Sequence, residues 1–515
     1  MSNINSLSSP TEPSTCPPEQ HHLRSLDGTI EHCVSPNLSW KQFLQCIIVS
    51  FAWFFDAQQT FISVFTDAEP KWTCKKHFSC NYETTDICQL PRDSWSWVSP
   101  ARTSIVSEWS LECAGPIITG LPASSFFLGC LVGGFALASL ADSSLGRKNL
   151  LVLSCLLMSL PGLLTAFSTN IWMYCGWRFI SGFGRATIGT CALVHASELV
   201  AEKWRARVGV IGFLCFTLGF LSLPAIAFLL RSCSWRLIYL WTCVPCVFYS
   251  LLVYFSVHES PRWLFIKGKK QEFAKTLRSM SAPEHWSTLT ESFLSHSMEW
   301  GETESEELGI CSALAILLQK SWAFQRLAVV TLAGFGIGMI YYGIPLGLSN
   351  LSFDVYLSAT FNALSELPVT LAMFFVMGKL RRKGTVVGLA LLSGICCPAS
   401  ALVRWKGLQI ALEIVSFFMA RAAFDVLLIY TLELFPTCVR NSAVSMVRQA
   451  SLFGGVLGPA LAAVGRKKGL LSYGVFGATI SVCGLLIAWL PETKGRVLCD
   501  TMEEEEECNK QWLHK

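Results

Sequence analysis

Charge is scarce in this chain of 515 residues: Asp, Glu, Lys and Arg together make up 15%, where a soluble globular chain carries about a quarter. That shortage excludes an ordinary water-soluble domain. The net charge of +4 excludes the strongly basic groove that nucleic-acid binding requires. A nucleophile set beside its base, a metal-ligand cluster and a lysine-bearing phosphate loop are also missing, so no enzyme and no cofactor is expected. The nearest imitation of a phosphate loop, RFISGFGRATIGT at 178–190, lacks the lysine and lies in an apolar stretch. Its glycines read as a close helix-packing surface.

What is abundant is apolar sequence, at 52% hydrophobic residues. Stretches of about 20 apolar residues are long enough to span a bilayer as helices. Twelve occur, at 43–65, 117–141, 149–169, 171–199, 207–230, 235–256, 324–347, 353–378, 385–404, 408–431, 443–464 and 470–490. They predict an all-α membrane protein: a six-helix bundle over 43–256, a cytoplasmic linker loop over 257–323, a second six-helix bundle over 324–490 and an acidic tail over 491–515 whose acidic run at 502–507 reads as solvated. Residues 1–42 are polar and rich in Ser and Pro, and read as a disordered tail with no removable signal.

Most of the 22 cysteines lie inside apolar spans, where a thiol behaves as a small hydrophobe. Cys74, Cys80, Cys88 and Cys113 instead share one polar loop, 66–116. An oxidising compartment would pair them, in any of three connectivities, so this loop is expected to face away from the cytosol. Lys and Arg are commoner in the loops of the other face, among them Arg147, Lys148, Lys203, Lys379 and Arg381, which puts both termini in the cytosol. Arg231, Arg236, Arg404, Lys406 and the triplet 466–468 oppose that bias.

The chain also repeats itself. LELFPTCVR (432–440) closes the tenth span, and SELVAEKWRARVG (197–209) closes the fourth; Glu433 and Arg440 are seven residues apart, as are Glu198 and Arg205. HESPRW (258–263) follows the sixth span as PETKG (491–495) follows the twelfth, and ADSSLGRK (141–148) corresponds to GKLRRKG (378–384). A six-span unit used twice is the plan of an alternating-access carrier with its site between the halves. Charges at the cytoplasmic rim can pair across helices and break as the halves rock; the alternative is that they only end and anchor the helices.

These strings resemble the organic ion transporter branch of the major facilitator superfamily. SIVSEWSLEC (104–113), SELP (365–368) and LELFPTCVRNS occur in its order, and FDAQQTFISVFTDAEPKWTC (55–74) with ADSSLGRKN (141–149) is similar to its plant organic cation/carnitine transporters. The resemblance implies that Asp142, Arg147, Glu198, Arg205, Glu433 and Arg440 gate the cytoplasmic side. Two departures matter. The loop after the second span has Ala138 in place of the family glycine and Ser143 in place of an arginine, and the position twelve after Arg440, charged in animal relatives, is Leu452, with Arg448 one helical turn earlier.

Ionisable groups inside spans should point to the bundle interior. Trp53, Asp56, Gln59, Thr60 and Ser63 share a stripe of the first span; Asn362, Glu366 and Thr370 line up in the eighth; Tyr341, Tyr342 and Tyr430 supply aromatic faces. A quaternary ammonium is held by such faces near a carboxylate, here Glu366, while Arg448 with Gln449 would grip the carboxylate of carnitine. Arg421 and Asp425 are spaced to bridge within one helix. The expectation is a secondary carrier of small organic cations and zwitterions in the lipid bilayer, with a proton or sodium as coupling ion and the vacuolar membrane favoured over the plasma membrane. The alternatives are a carrier of organic anions or sugars, or a receptor or scaffold that transports nothing.

Overall fold

The computed structural model describes residues 39–75, 87–141, 145–280, 310–348, 354–376, 379–466, 469–494, 499 and 501–513. The N-terminal tail, Cys80, Asp142 and much of the linker therefore lie outside the described residues. Backbone groups in lipid must be satisfied within their own segment, which makes each apolar stretch a helix. Each of the twelve predicted stretches is one: α1 (Trp40–Thr66, in three segments), α2 (Pro116–Ala141), α3 (Arg147–Thr165), α4 (Ile171–Arg185 and Ile188–Glu198), α5 (Glu202–Leu229), α6 (Trp235–Ser256), α7 (Ser321–Gly347), α8 (Val355–Val376), α9 (Arg382–Leu402), α10 (Lys406–Leu434), α11 (Thr437–Val464) and α12 (Gly469–Leu486). Several start earlier than the apolar pattern, because the first turn is polar. Among the described residues, nine helices are long and apolar enough to cross a membrane by length and composition alone. The remaining three, α4, α8 and α10, carry Arg178, Arg185, Glu366, Glu413, Arg421 and Asp425.

The halves α1–α6 and α7–α12 repeat one packing plan. Gly219 lets α5 approach α1 so closely that a Cβ there would stand 2.1 Å from the Phe54 carbonyl oxygen. Its counterpart, Gly454, brings α11 as close to α7, 2.4 Å from the Phe335 oxygen. The imitation phosphate loop serves the same purpose: a Cβ on Gly182 would meet the Phe126 carbonyl oxygen of α2 at 2.0 Å.

Between α1 and α2, two short strands, Trp72–Cys74 and Trp95–Trp97, pair antiparallel with Trp72 opposite Trp97. Trp72, Ile87 and Trp95 form a small core there. Cys88 is bonded to Cys113, and Cys74 is disulfide-bonded as well. Glu108 fastens this loop to α6, accepting from Trp235 Nε1 at 2.7 Å and Arg236 Nη1 at 2.6 Å. This end of the molecule is its disulfide face, and the opposite end, where the C-terminal helix docks, its tail face.

The acidic run after α12 differs from its sequence reading as a solvated segment. Met502–Leu513 is a helix, docked by Glu505 on Arg326 at 2.7 Å and by Glu506 on Lys320 at 2.8 Å. Glu505 and Met502 are buried. Arg326 also donates to the Leu434 carbonyl at 3.2 Å, so the tail pins α7 to the end of α10. Because Glu505→Gln leaves a buried guanidinium with its carboxylate gone, it is expected to release the tail at a cost of about 3 kcal/mol. Limited proteolysis of the C terminus reads this as faster cleavage.

Candidate functional site

On the tail face, each half builds the same charged cluster. Glu259, after α6, accepts the backbone N–H of Lys148 at 2.9 Å, and Glu492, after α12, accepts that of Arg382 at 2.9 Å. Both carboxylates thus sit at a helix N-terminus, where orphan N–H groups and the helix dipole favour an anion. Gly146, just before α3, has φ +83°, and a Cβ there would strike the Glu259 carboxylate at 2.4 Å. The family charges join in. Glu198 lies 3.9 Å from Arg147, and Glu433 pairs with Arg382 at 3.0 Å and accepts from Thr493 at 2.7 Å. Arg440 turns back to the Phe435 carbonyl at 3.3 Å, and Arg205 lies within electrostatic reach of Glu198. All these contacts stay within one half.

At mid-membrane the halves face each other across charged and aromatic side chains. Asp56 of α1 is ion-paired with Arg185 of α4. Across from it, Glu366 of α8 accepts from the Tyr341 hydroxyl at 2.9 Å and from Arg421 Nε at 2.8 Å, while the same guanidinium also pairs with Asp425 one turn along α10. Glu366 is 1% and Arg421 7% exposed, so this pair is dry, while Asp425 is partly exposed. Tyr341 stacks on Phe417 at 5.4 Å and meets Tyr342 at 5.0 Å and Phe61 of the first half at 6.2 Å. Tyr342 packs on Phe127 at 4.6 Å.

Arg448 of α11 stands in the field of Tyr342, Asp425 and Arg421, yet among the described residues its guanidinium has no hydrogen-bond or ion-pair partner. Beside it, the Gln449 amide reaches α2, where a Cβ on Gly134 would lie 2.0 Å from its nitrogen. Asp56, Glu366 and Asp425 are balanced by Arg185, Arg421 and Arg448, so the centre is neutral overall and strongly dipolar.

The halves are joined on the disulfide face. Ser124 donates to the Val456 carbonyl at 2.7 Å, Tyr356 stacks on Phe65 at 5.6 Å and meets Phe228 at 5.7 Å, and Arg466 donates to the Asp67 carbonyl at 3.1 Å and lies 3.7 Å from Glu69. Among the described residues, no hydrogen bond, ion pair or aromatic contact joins the halves on the tail face. The described contacts between the halves therefore cluster on the disulfide face.

Of the side chains expected at the centre, Asp56, Tyr341, Tyr342, Glu366, Arg448 and Gln449 are brought together. Trp53 flanks them, packed on Phe213 and Phe216 of α5 at 5.5 and 6.0 Å. Three others turn onto partners in their own half. Gln59 donates to Thr242 at 3.1 Å, Asn362 to Glu413 at 2.9 Å, and the Tyr430 hydroxyl to the Pro491 carbonyl at 2.6 Å. Sequence reasoning missed Arg185 as the counterion of Asp56, and Glu413. The available signal was a charge inside an apolar span, which lipid does not tolerate without a partner.

Residues 101–504 match the family model described as sugar (and other) transporter. Organic cation/carnitine transporter 3 of Arabidopsis thaliana is 54% identical, over 94% of this chain and 94% of its own length. Organic cation/carnitine transporter 2 of the same plant is 48% identical over 97% of each. Among solved structures, the inward-open xylose transporter XylE of E. coli superposes with a TM-score of 0.64 at 18% identity, covering 90% of this chain and 98% of its own. Two six-helix halves, their repeated rim clusters and these likenesses place the chain among the major facilitator carriers: it belongs to the sugar (and other) transporter family, in the organic cation/carnitine transporter branch.

Proposed function

We propose that this protein moves small zwitterions of the carnitine type, together with organic cations, by alternating access. The loop bearing the disulfide faces away from the cytosol and both termini lie within it. The observation that carries the reading is the guanidinium of Arg448 at the mid-membrane interface, which has no hydrogen-bond or ion-pair partner among the described residues and stands opposite carboxylates and tyrosine faces. A zwitterion supplies what each side lacks. Its carboxylate meets Arg448, in the bidentate geometry a guanidinium favours, with Gln449 alongside. Its trimethylammonium meets the faces of Tyr341 and Tyr342, worth about 0.5–2 kcal/mol each, and the charge of Glu366. Arg421 can turn wholly to Asp425 as the ammonium arrives, so no buried charge is stranded. The names of the plant relatives, organic cation/carnitine transporters, support the same substrate class.

On this reading the disulfide face, where the halves are joined, is the outer end, and the rim clusters of the tail face brace each half as a rigid unit for rocking. A proton is the coupling ion we favour, with Asp56 as its acceptor when Arg185 withdraws, and the vacuolar membrane is the favoured location. Uptake of labelled carnitine and tetraethylammonium into proteoliposomes, with and without an imposed proton gradient, tests these points. Accumulation above equilibrium only with the gradient supports coupled transport. Equilibration without it means facilitated diffusion, and no uptake of either would move organic anions, sugars or a receptor role to the front.

A further inference from the structure

The disulfide face holds a buried carboxylate that neither the substrate site nor the rim clusters use. Asp67 lies just beyond α1 and is 7% exposed. Its Oδ1 accepts from the Tyr174 hydroxyl at 2.7 Å and from Thr66 at 2.8 Å. Its Oδ2 is buried with no hydrogen-bond partner among the described residues. It lines a cavity of about 30 Å3 whose walls come from both halves, with Ser63, Thr119 and Ala123 on one side and Leu346, Ala462 and Arg466 on the other.

Two guanidiniums stand close, and neither hydrogen-bonds to this carboxylate. Arg466, from the far half, takes the main-chain carbonyl of Asp67 and the side chain of Glu69. Arg178, fully buried in α4, lies over the Phe126 ring at 4.1 Å and donates to the Gln59 carbonyl at 3.2 Å and Ser63 Oγ at 3.3 Å, while its Nε and Nη1 have no hydrogen-bond partner among the described residues. An ionised carboxylate beside unused N–H donors should draw at least one of them into a charge-assisted bond. A carboxylic acid does not, and it needs far less solvation in a closed site.

We infer that Asp67 is a proton-binding site that makes closure of the disulfide face depend on pH: the closed face holds Asp67 as the acid, and opening hydrates and ionises it. The titratable and charged groups facing it are Tyr174, Cys175 and Arg178 from α4, Tyr239 from α6, and Glu69 and Arg466 at the seam; α2 and α7 present Thr119 and Leu346. Burial raises the Asp67 carboxyl above its ordinary 3.8, against the Tyr174 hydrogen bond and the charge of Arg178. The sign follows. A group whose acid form is favoured in the closed state stabilises closure as pH falls through its raised value, and that stabilisation is lost as pH rises beyond it. Each unit of rise is worth about tenfold in the closed-to-open ratio.

The inference rests on the alternating-access reading but is tested without any substrate. In liposomes of the full chain, Ala462→Cys on the cavity wall is labelled with a membrane-impermeant thiol reagent, and Ala101→Cys, exposed on the same face, serves as the reference. The chain without either substitution gives the background. The Ala462→Cys rate relative to the reference should fall about tenfold or more from mildly alkaline to acidic pH. With Asp67→Asn added, a permanent stand-in for the acid, labelling should be slow throughout. A pH-independent ratio in the Asp67 chain overturns the inference even if the Asn variant fails to fold, and so does an unchanged pH profile in that variant. Loss of carnitine uptake with the labelling profile intact would instead overturn the proposed substrate.

Discussion

Arg448→Gln is expected to lower carnitine uptake about 10- to 100-fold while leaving tetraethylammonium uptake within about twofold of the parent. The first figure corresponds to one hydrogen-bonded charge contact worth about 1.5–3 kcal/mol. The difference between substrates is the informative part. Arg448 has no ion-pair or hydrogen-bond partner among the described residues, so removing it strands no buried carboxylate, and the fold should survive. Tetraethylammonium carries no carboxylate to lose, and removing a nearby positive charge weakens no contact it makes. Equal losses for both substrates would show that Arg448 holds the architecture or the gate, and the division of the site into an anionic and a cationic end would fall. Arg448→Lys separates charge from shape: a lysine keeps the charge without the planar fork, so partial recovery is expected.

The fold was legible because lipid imposes one rule on every apolar stretch, and each of the twelve predicted spans is occupied by a helix. The rim repeat was legible too, since Glu198 and Glu433 stand at matching places in the sequence and in the two clusters. Pairing between distant helices was not. Nothing in GFGR at 182–185 says that Arg185 meets Asp56, or that Arg421 chooses Glu366 as well as Asp425 one turn away. Such choices depend on helix rotation, which sequence periodicity constrains only to a face. Two of the arginines that oppose the charge bias between loops now have roles: Arg236 secures the disulfide loop through Glu108, and Arg466 bridges the halves. Their misfit with the topology rule was a signal of pairing. The acidic tail misled for the opposite reason, because a run of glutamates reads as solvated until buried Arg326 supplies a partner.

Arg421→Gln is expected to have the largest effect of any single change at the centre: a stability loss of about 3–5 kcal/mol, and no measurable transport of either substrate. Arg421 neutralises Glu366 and Asp425 together, and removing it leaves two carboxylates without their counterion, one of them, Glu366, fully buried. The cost therefore comes from the groups left behind. Adding Glu366→Gln should return part of the lost stability, since one stranded charge goes with it, and contacting residues of this kind combine non-additively. Transport should stay absent in the double variant, because the ammonium then finds no carboxylate on α8. Thermal unfolding of the three proteins in one detergent, beside uptake in liposomes, separates the two consequences. A single variant as stable as the parent would mean that Glu366 and Asp425 are neutral in the resting state, and Arg421 would then be a ligand for substrate rather than the charge that holds the second half together.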